Sequence, residues 1–138
     1  MQLLIQSGDL GPKWFHVALR TLTMLAASEE LVKSHHIAEN LGEDPTYIRK
    51  IVARLVKDGM VSAIGGRYGG YRLQKNANAI SVKDVYIALS DYSATPFYVV
   101  PSTGVEYSIS QIIFKAEQVF QSSLDQYSIQ DILDEKKD

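Results

Sequence analysis

Basic side chains lie close to a glycine-rich segment in the middle of this sequence, and together they define its clearest chemical potential. Arg49 and Lys50 sit in the stretch 45–57, and Arg67 lies between two glycine pairs. An arginine can form two parallel hydrogen bonds to O6 and N7 of guanine, and arginine and lysine both pair with phosphate. This combination of residue types predicts contact with nucleic acid.

The stretch from Pro45 to Lys57 is predicted to be a helix with one apolar face and one basic face. Apolar residues recur at spacings of three and four, which places them on the side that packs inward. They are Ile48, Ile51, Val52 and Leu55. The opposite face carries Thr46, Tyr47, Arg49, Lys50, Arg54 and Lys57. Taken alone, this pattern also fits a solvated basic surface, so its interpretation depends on the neighbouring elements.

A second short helix is predicted immediately before this one, starting at Ser34. Ser34 is a suitable N-cap residue, and Gly42 lies where the end of a helix favours a residue that tolerates positive φ. Asp44 then offers a side-chain oxygen to the free amides of the next helix, and Pro45 suits the first helical position. The two helices are therefore separated by only a tight turn.

Two helices joined in this way form a helix-turn-helix, and its second helix enters the major groove with its N-terminal residues nearest the bases. Arg49 and Lys50 are therefore the predicted base-reading residues. Ser34 and His35, at the start of the first helix, are predicted to lie near the DNA backbone.

The residues after the second helix are predicted to form a β-hairpin. Residues 60–64 and 71–73 read as short strands, and the glycine-rich segment 65–70 joins them. Such a loop is the wing of a winged helix-turn-helix, because its glycines allow positive φ and close approach of the backbone to another surface. At its tip, Arg67 can reach phosphate or the minor groove. The predicted DNA contacts of the wing are Arg67, Tyr68 and Tyr71.

Charge is unevenly distributed along the chain. Residues 33–75 contain eight Lys and Arg against four Asp and Glu, a net charge of +4. The whole chain has a net charge of −2, so the remainder carries −6. A basic module on an acidic body suits docking on a polyanion through one face, with an affinity that falls steeply with salt.

Five segments carry a resemblance to a known family. They are VALRTLTMLA (17–26), IAE (37–39), TYIRKIVARL (46–55), GGYRL (69–73) and ISVKDV (80–85). They look like the first helix, the helix-turn-helix, the wing signature G-G-Y-x-L and the post-wing helix of bacterial winged-helix regulators of the IscR, NsrR and CymR type (the Rrf-two type). The wing signature is the most specific of them. The resemblance implies a DNA-binding transcription repressor.

The sequence departs from that family in one respect that affects mechanism, since it contains no cysteine. Relatives that hold an iron-sulfur cluster supply thiolates from the loop after the post-wing helix, so a cysteine-ligated cluster and thiol oxidation are both excluded. The chain resembles the cluster-free branch, and no cofactor is expected. The corresponding segment, 91–101, is apolar and aromatic instead. Its run from Phe97 to Val100 either lines a pocket for a small-molecule effector or fills the place of the cluster loop.

A helical stripe in the last third of the chain predicts a homodimer. Between residues 104 and 127, apolar side chains recur over about 35 Å at 1.5 Å per residue, which would overhang so small a domain. The predicted dimerisation residues are Ile109, Ile112, Ile113, Ala116, Val119, Phe120 and Leu124, with Tyr127 at the end of the stripe. Crossing the same helix of a second copy, as in the family, would place two recognition helices about 34 Å apart. Packing on the chain's own core is the alternative.

The length of 138 residues fits one domain, mainly α-helical with a small β-hairpin. We divide it into a flexible arm (1–12), a winged helix-turn-helix domain (13–90), a loop replacing the cluster-binding loop (91–103) and a C-terminal part (104–138). The C-terminal part holds the dimerisation helix and a short helix capped by Ser128. No apolar run approaches the roughly 18 residues of a membrane span and no signal-peptide pattern is present, so a cytoplasmic location is expected.

Other functions find less support in the residue pattern. The glycines read G-G-x-x-G-G before a strand, unlike a nucleotide-binding loop. His35 and His36 point about 100° apart on a helix and lack a carboxylate pair that would complete a metal site. No nucleophile elbow or cofactor fingerprint indicates an enzyme. The sequence predicts a DNA-binding regulator acting as a homodimer on a palindromic operator. A protein-interaction module that keeps a winged helix without DNA is the alternative.

Overall fold

The computed structural model describes residues 2–90 and 99–137, and helices dominate it. In chain order these are α1 (Lys13–Ala26), α2 (Ser34–Leu41), α3 (Pro45–Lys57), α4 (Val82–Leu89), α5 (Glu106–Leu124) and α6 (Ile129–Asp134). Two antiparallel strands, β1 (Val61–Ile64) and β2 (Gly70–Leu73), follow α3, and a 3-10 turn (Ala77–Ala79) precedes α4. This confirms the predicted mainly helical winged-helix fold. In the described ranges, no helix is long and apolar enough to cross a membrane.

The core lies between α1, α2, α3 and α4, with the inner side of the hairpin and α6 closing it. The apolar face of α3 is completely buried, as its periodicity predicted. Its members Ile48, Ile51, Val52 and Leu55 have no exposed surface. This burial sets the orientation of α3, so that its other face points outward.

The turn between α2 and α3 follows the predicted capping chemistry. Gly42 ends α2 in the left-handed region, with φ 69°. Asp44 accepts a hydrogen bond from the backbone N–H of Tyr47 at 3.3 Å, and Pro45 occupies the first position of α3. The predicted cap at Ser34 was wrong by one residue. Lys33 holds the N-cap position, because its carbonyl already accepts the backbone N–H groups of two residues in the first turn.

Each strand of the hairpin begins one residue from its predicted start. The first strand begins at Val61 instead of Met60, and the second begins at Gly70, which pairs with Ile64, instead of Tyr71. The second glycine pair of the wing is required by packing within the protein. A Cβ at Gly69 would lie 2.0 Å from the carbonyl oxygen of Ile64, and one at Gly70 would lie 2.9 Å from that of Val32. Tyr71 exchanges backbone hydrogen bonds with Val32 at 2.8 and 3.0 Å, which attaches the hairpin to the segment before α2.

The long helix α5 leaves this core, and the chain then returns to it. No residue of α5 is buried. After α5, Tyr127 accepts a hydrogen bond from the backbone N–H of Val82 at 2.8 Å, and Ile129 donates to Ile80 at 3.0 Å. Ser128 caps α6 as predicted, accepting the backbone N–H of Asp131. The C-terminal end of α5 is therefore held at the core while its N-terminal part projects away.

Candidate nucleic-acid interface

The outer face of α3 presents an exposed basic surface. Arg49, Lys50 and Lys57 are all exposed on the side opposite the buried apolar face. The Arg49 guanidinium donates from Nη2 to Thr46 Oγ1 at 3.1 Å. This bond holds the guanidinium towards the N-terminal turn of α3, the end of a recognition helix that approaches base edges. Thr46 is therefore placed to orient the predicted base-reading arginine.

The wing tip adds a second exposed basic element. Arg67 and Tyr68 are exposed, and the Arg67 guanidinium lies 5.7 Å from the centre of the Tyr68 ring. Lys33 donates from Nζ to the carbonyl oxygen of Arg67 at 2.9 Å, although the two residues are 34 positions apart. This bond brings the tip to the start of α2, where Ser34 is half-buried and His35 is exposed. Sequence reasoning missed this role of Lys33 and counted it only as a charge.

Three of the predicted DNA contacts also make contacts within the protein. Tyr47 is half-buried, and Lys13 Nζ lies 5.4 Å from the centre of its ring. Arg54 is half-buried and donates from Nε to the carbonyl oxygen of Ala88 at 3.3 Å, in the last turn of α4. A cation at this end stabilises a helix and pairs a carbonyl that lacks an intrahelical donor. Half-buried Tyr71 packs against the core. These three side chains help to position the interface, and their contact with DNA stays a prediction.

Lys13 connects the first helix to the helix-turn-helix. Its Nζ lies 2.9 Å from Oε1 of Glu43, in the turn between α2 and α3. The hydrogen bond to the Glu43 carboxylate raises the pKa of Lys13 above its ordinary value. The carboxyl of Glu43 is mostly buried, whereas Lys13 is exposed. Sequence reasoning did not single out this pair, because 30 residues separate its members.

The predicted dimerisation residues divide into two groups on α5. Phe120 and Leu124 are half-buried, and Phe120 stacks edge-on against Tyr86 of α4 with ring centres 5.1 Å apart. The other five are exposed: Ile109, Ile112, Ile113, Ala116 and Val119. Two further exposed aromatic residues, Tyr107 and Phe114, lie on a different side of the helix.

The candidate effector segment runs from Phe97 to Val100, and its first two residues, Phe97 and Tyr98, lie outside the described residues. Val99 and Val100 are exposed.

Comparison with known proteins identifies the same architecture. The Rrf2 family model, described as an iron-dependent transcriptional regulator, matches residues 13–135. The structure resembles T. potens IscR with a TM-score of 0.70 at 23% identity, over 99% of this chain and 90% of that one. It also resembles B. subtilis CymR, with a TM-score of 0.69 at 21% identity, over 99% of this chain and 100% of that one. The TM-score to Staphylococcus aureus CymR is 0.68 at 19% identity, over 92% of this chain and 99% of that one. At these identities the structural likeness shows the fold.

The family description names iron, but the residues of this chain do not fit a cysteine-ligated iron centre. The sequence has no cysteine. Within residues 2–90 and 99–137, no three His, Asp or Glu side chains come together as metal ligands. The winged helix, the basic face of α3 and the family match over residues 13–135 nevertheless all indicate a transcriptional regulator. The chain therefore belongs to the Rrf2 family of transcriptional regulators.

Proposed function

We propose that this protein is a cytoplasmic transcription repressor that binds a palindromic DNA operator as a homodimer. In this proposal α3 enters the major groove, and the wing tip, residues 65–70, lies at the backbone or in the minor groove. The observation that supports it best is the exposed basic face of α3, opposite an apolar face with no exposed surface. A helix fixed in this way presents its cations in one orientation.

The basic residues divide by the contact that each can make. Arg49, oriented by Thr46, suits a bidentate pair with guanine, and Lys50 is its exposed neighbour. One such bidentate pair contributes roughly 1–3 kcal/mol of discrimination between bases. Lys57 and Arg67 lie at the far end of α3 and at the wing tip, so we assign them to phosphate contacts.

The homodimer is supported by the part of α5 that projects from the core. Large apolar side chains remain exposed along it, with exposed fractions of 68% for Ile112 and 60% for Ile113. A contiguous apolar face of this kind marks an association surface. A symmetric contact between two copies of α5 would cover both faces at once and would duplicate the DNA-reading surface.

Selection of bound DNA from a random pool, performed with the purified protein at two salt concentrations, tests the proposal. We expect a palindromic consensus with half-sites about one helical turn apart, and weaker recovery at the higher salt concentration. An Arg49→Ala, Lys50→Ala double variant should lose the enrichment, whereas the exposed control Lys115→Ala should retain it. Recovery of no consensus would contradict sequence-specific binding. A single unpaired half-site would contradict the dimer.

A further inference from the structure

A cleft of about 340 Å³ lies between the N-terminal arm and α1. The arm contributes Leu3 and Ile5, whose exposed fractions are 72% and 54%. On the other side, α1 contributes the apolar Val17 together with Lys13, His16 and Arg20. The spacing of three and four residues places these three side chains on one face of the helix. The cleft therefore combines an apolar surface with a row of basic groups.

The positive charge in this cleft is incompletely balanced. Within the described residues, the carboxylate that pairs with these groups is Glu43, which contacts Lys13. Arg20 donates from Nη1 to the carbonyl oxygen of Leu41 at 3.4 Å, but its Nε is buried and has no hydrogen-bond partner within the same ranges. Burial and the nearby charge of Arg20 both lower the pKa of His16. A negative charge that enters the cleft would offset the repulsion between Arg20 and protonated His16 and would pair with the Arg20 guanidinium.

The same basic residues also connect the cleft to the DNA-reading helices. Lys13 contacts Glu43 in the turn between α2 and α3 and lies over the ring of Tyr47 in the first turn of α3. Arg20 contacts Leu41 at the end of α2. An anion that pairs with Lys13 and Arg20 would compete with Glu43 and with the Leu41 carbonyl. Occupation of the cleft would thereby alter the support of α3.

We propose that this cleft binds a small carboxylate with an apolar body, and that its binding weakens the affinity of the protein for DNA. The carboxylate pairs with the row formed by Lys13, His16 and Arg20, and the apolar body covers Leu3, Ile5 and Val17. The proposed effect on DNA rests on the function proposed above, whereas binding to the cleft does not. Neither the binding of the carboxylate nor its effect on DNA affinity needs a cysteine, so the site offers this cysteine-free chain a means of regulation.

Calorimetric titration of the 138-residue protein with hexanoate tests the site. Hexanol, which lacks the charge, and acetate, which lacks the apolar body, should each bind at least tenfold more weakly than hexanoate. His16→Gln and Arg20→Gln should each weaken hexanoate binding at least fivefold, while the matched control Lys115→Gln should leave it within twofold. Arg20→Gln also removes the bond to Leu41, so its folding is checked by thermal melting. His16→Gln removes no side-chain hydrogen bond within the described residues and keeps the test valid if Arg20→Gln unfolds.

Glu43→Gln gives the sharpest test, because it should change two affinities in opposite directions. Removing the Glu43 carboxylate frees Lys13, so hexanoate should bind at least threefold more tightly. The same change removes a contact that supports α3, so the selected DNA should bind more weakly. Equal hexanoate binding by the wild type, His16→Gln and Glu43→Gln would overturn the site. Hexanol binding as tightly as hexanoate would overturn the need for a charge.

The effect on DNA is measured separately by fluorescence anisotropy of the selected DNA. Saturating hexanoate should weaken its binding about fivefold, within the usual range of coupling between sites, and DNA should weaken hexanoate binding by the same factor. Hexanoate binding with unchanged DNA affinity would overturn the coupling. Absence of sequence-specific DNA binding without hexanoate would instead contradict the proposed function, while the calorimetric result would still decide the carboxylate site.

Discussion

The helices α3 and α5 both repeat apolar residues at helical spacing, but the fold treats them in opposite ways. The apolar residues of α3, such as Ile51, have no exposed surface. In α5 none is buried, and Ile112 and Val119 have exposed fractions of 68% and 71%. The reason is the number of neighbours, because α3 packs against α1, α2, α4 and β1, whereas α5 packs mainly against α4.

This difference shows what helical periodicity can and cannot report. An apolar stripe indicates that one face of a helix needs cover, but it does not identify the molecule that supplies it. Burying one large aliphatic side chain contributes roughly 1.5–3 kcal/mol. In α3 that contribution stabilises the monomer, and in α5 it is still available for association. Each prediction below tests one side of this contrast.

The same substitution in the two helices should have very different effects on folding. Ile51→Ala leaves a cavity in a closed core and should lower the free energy of unfolding by roughly 2–5 kcal/mol. Ile112→Ala removes an exposed side chain and should change the stability of the monomer by less than about 0.5 kcal/mol. Urea denaturation measures both, with Ile113→Asp present in each protein to exclude effects of association. Equal losses would show that α5 is part of the monomer core.

A charge on the exposed face of α5 should separate the subunits. Ile113→Asp should give monomers and weaken DNA binding by at least about 100-fold, because each half-site would then bind alone. Sedimentation velocity measures the first effect and anisotropy the second. Gln118→Asp is the matched control, since it adds the same charge about 140° around the same helix. An unchanged dimer in Ile113→Asp would contradict the assignment of this face.

The exposed face of α3 should show two kinds of DNA contact. Arg49→Ala should relax the preference at one base position of each half-site by roughly 1–3 kcal/mol, since a bidentate pair is lost. Lys57→Ala should weaken binding evenly across DNA sequences. It should also reduce the slope of log affinity against log salt concentration by about one unit. Competition between related DNA sequences at several salt concentrations measures both. An unaltered base preference in Arg49→Ala would refute the base-reading role.

The smallest expected effect concerns how α5 begins. Glu106 accepts hydrogen bonds from the side chain and backbone N–H of Thr103 and from the backbone N–H of Gly104, and these lower its pKa from 4.5 to about 2, the Thr103 side chain contributing most. A depressed pKa means that this stabilisation of the helix start is present above pH 4.5 and is lost as the pH falls towards 2. Carboxyl-carbon NMR titration measures the pKa, and Thr103→Ala should move it upward. Titration of wild-type Glu106 near 4.5 would contradict these hydrogen bonds.

Much of the DNA-reading unit could be predicted from sequence because its signals are local. The cap at Asp44 and the left-handed glycine at Gly42 depend on a few adjacent residues, so α2 ends and α3 begins where the sequence predicted. The cap at Ser34 was misplaced because Ser34 is itself the first helical residue, and Lys33 holds the N-cap position without a side-chain capping bond. The exposure of Arg49 followed from the helical period, but the inward contact of Arg54 with Ala88 did not, because Ala88 lies 34 residues away from Arg54 in sequence.

By itself, the sequence determined the helix-turn-helix, the basic face of α3 and the absence of thiolate ligands, since these depend on residue type and short-range spacing. Only the tertiary structure decided which long-range contacts support that face. Lys33 contacts the wing tip, Lys13 contacts Glu43, and Gly70 lies against Val32. The physical reason is that such contacts join residues about 30 or more positions apart. Their geometry is set by the packing of whole elements, and no local pattern encodes it.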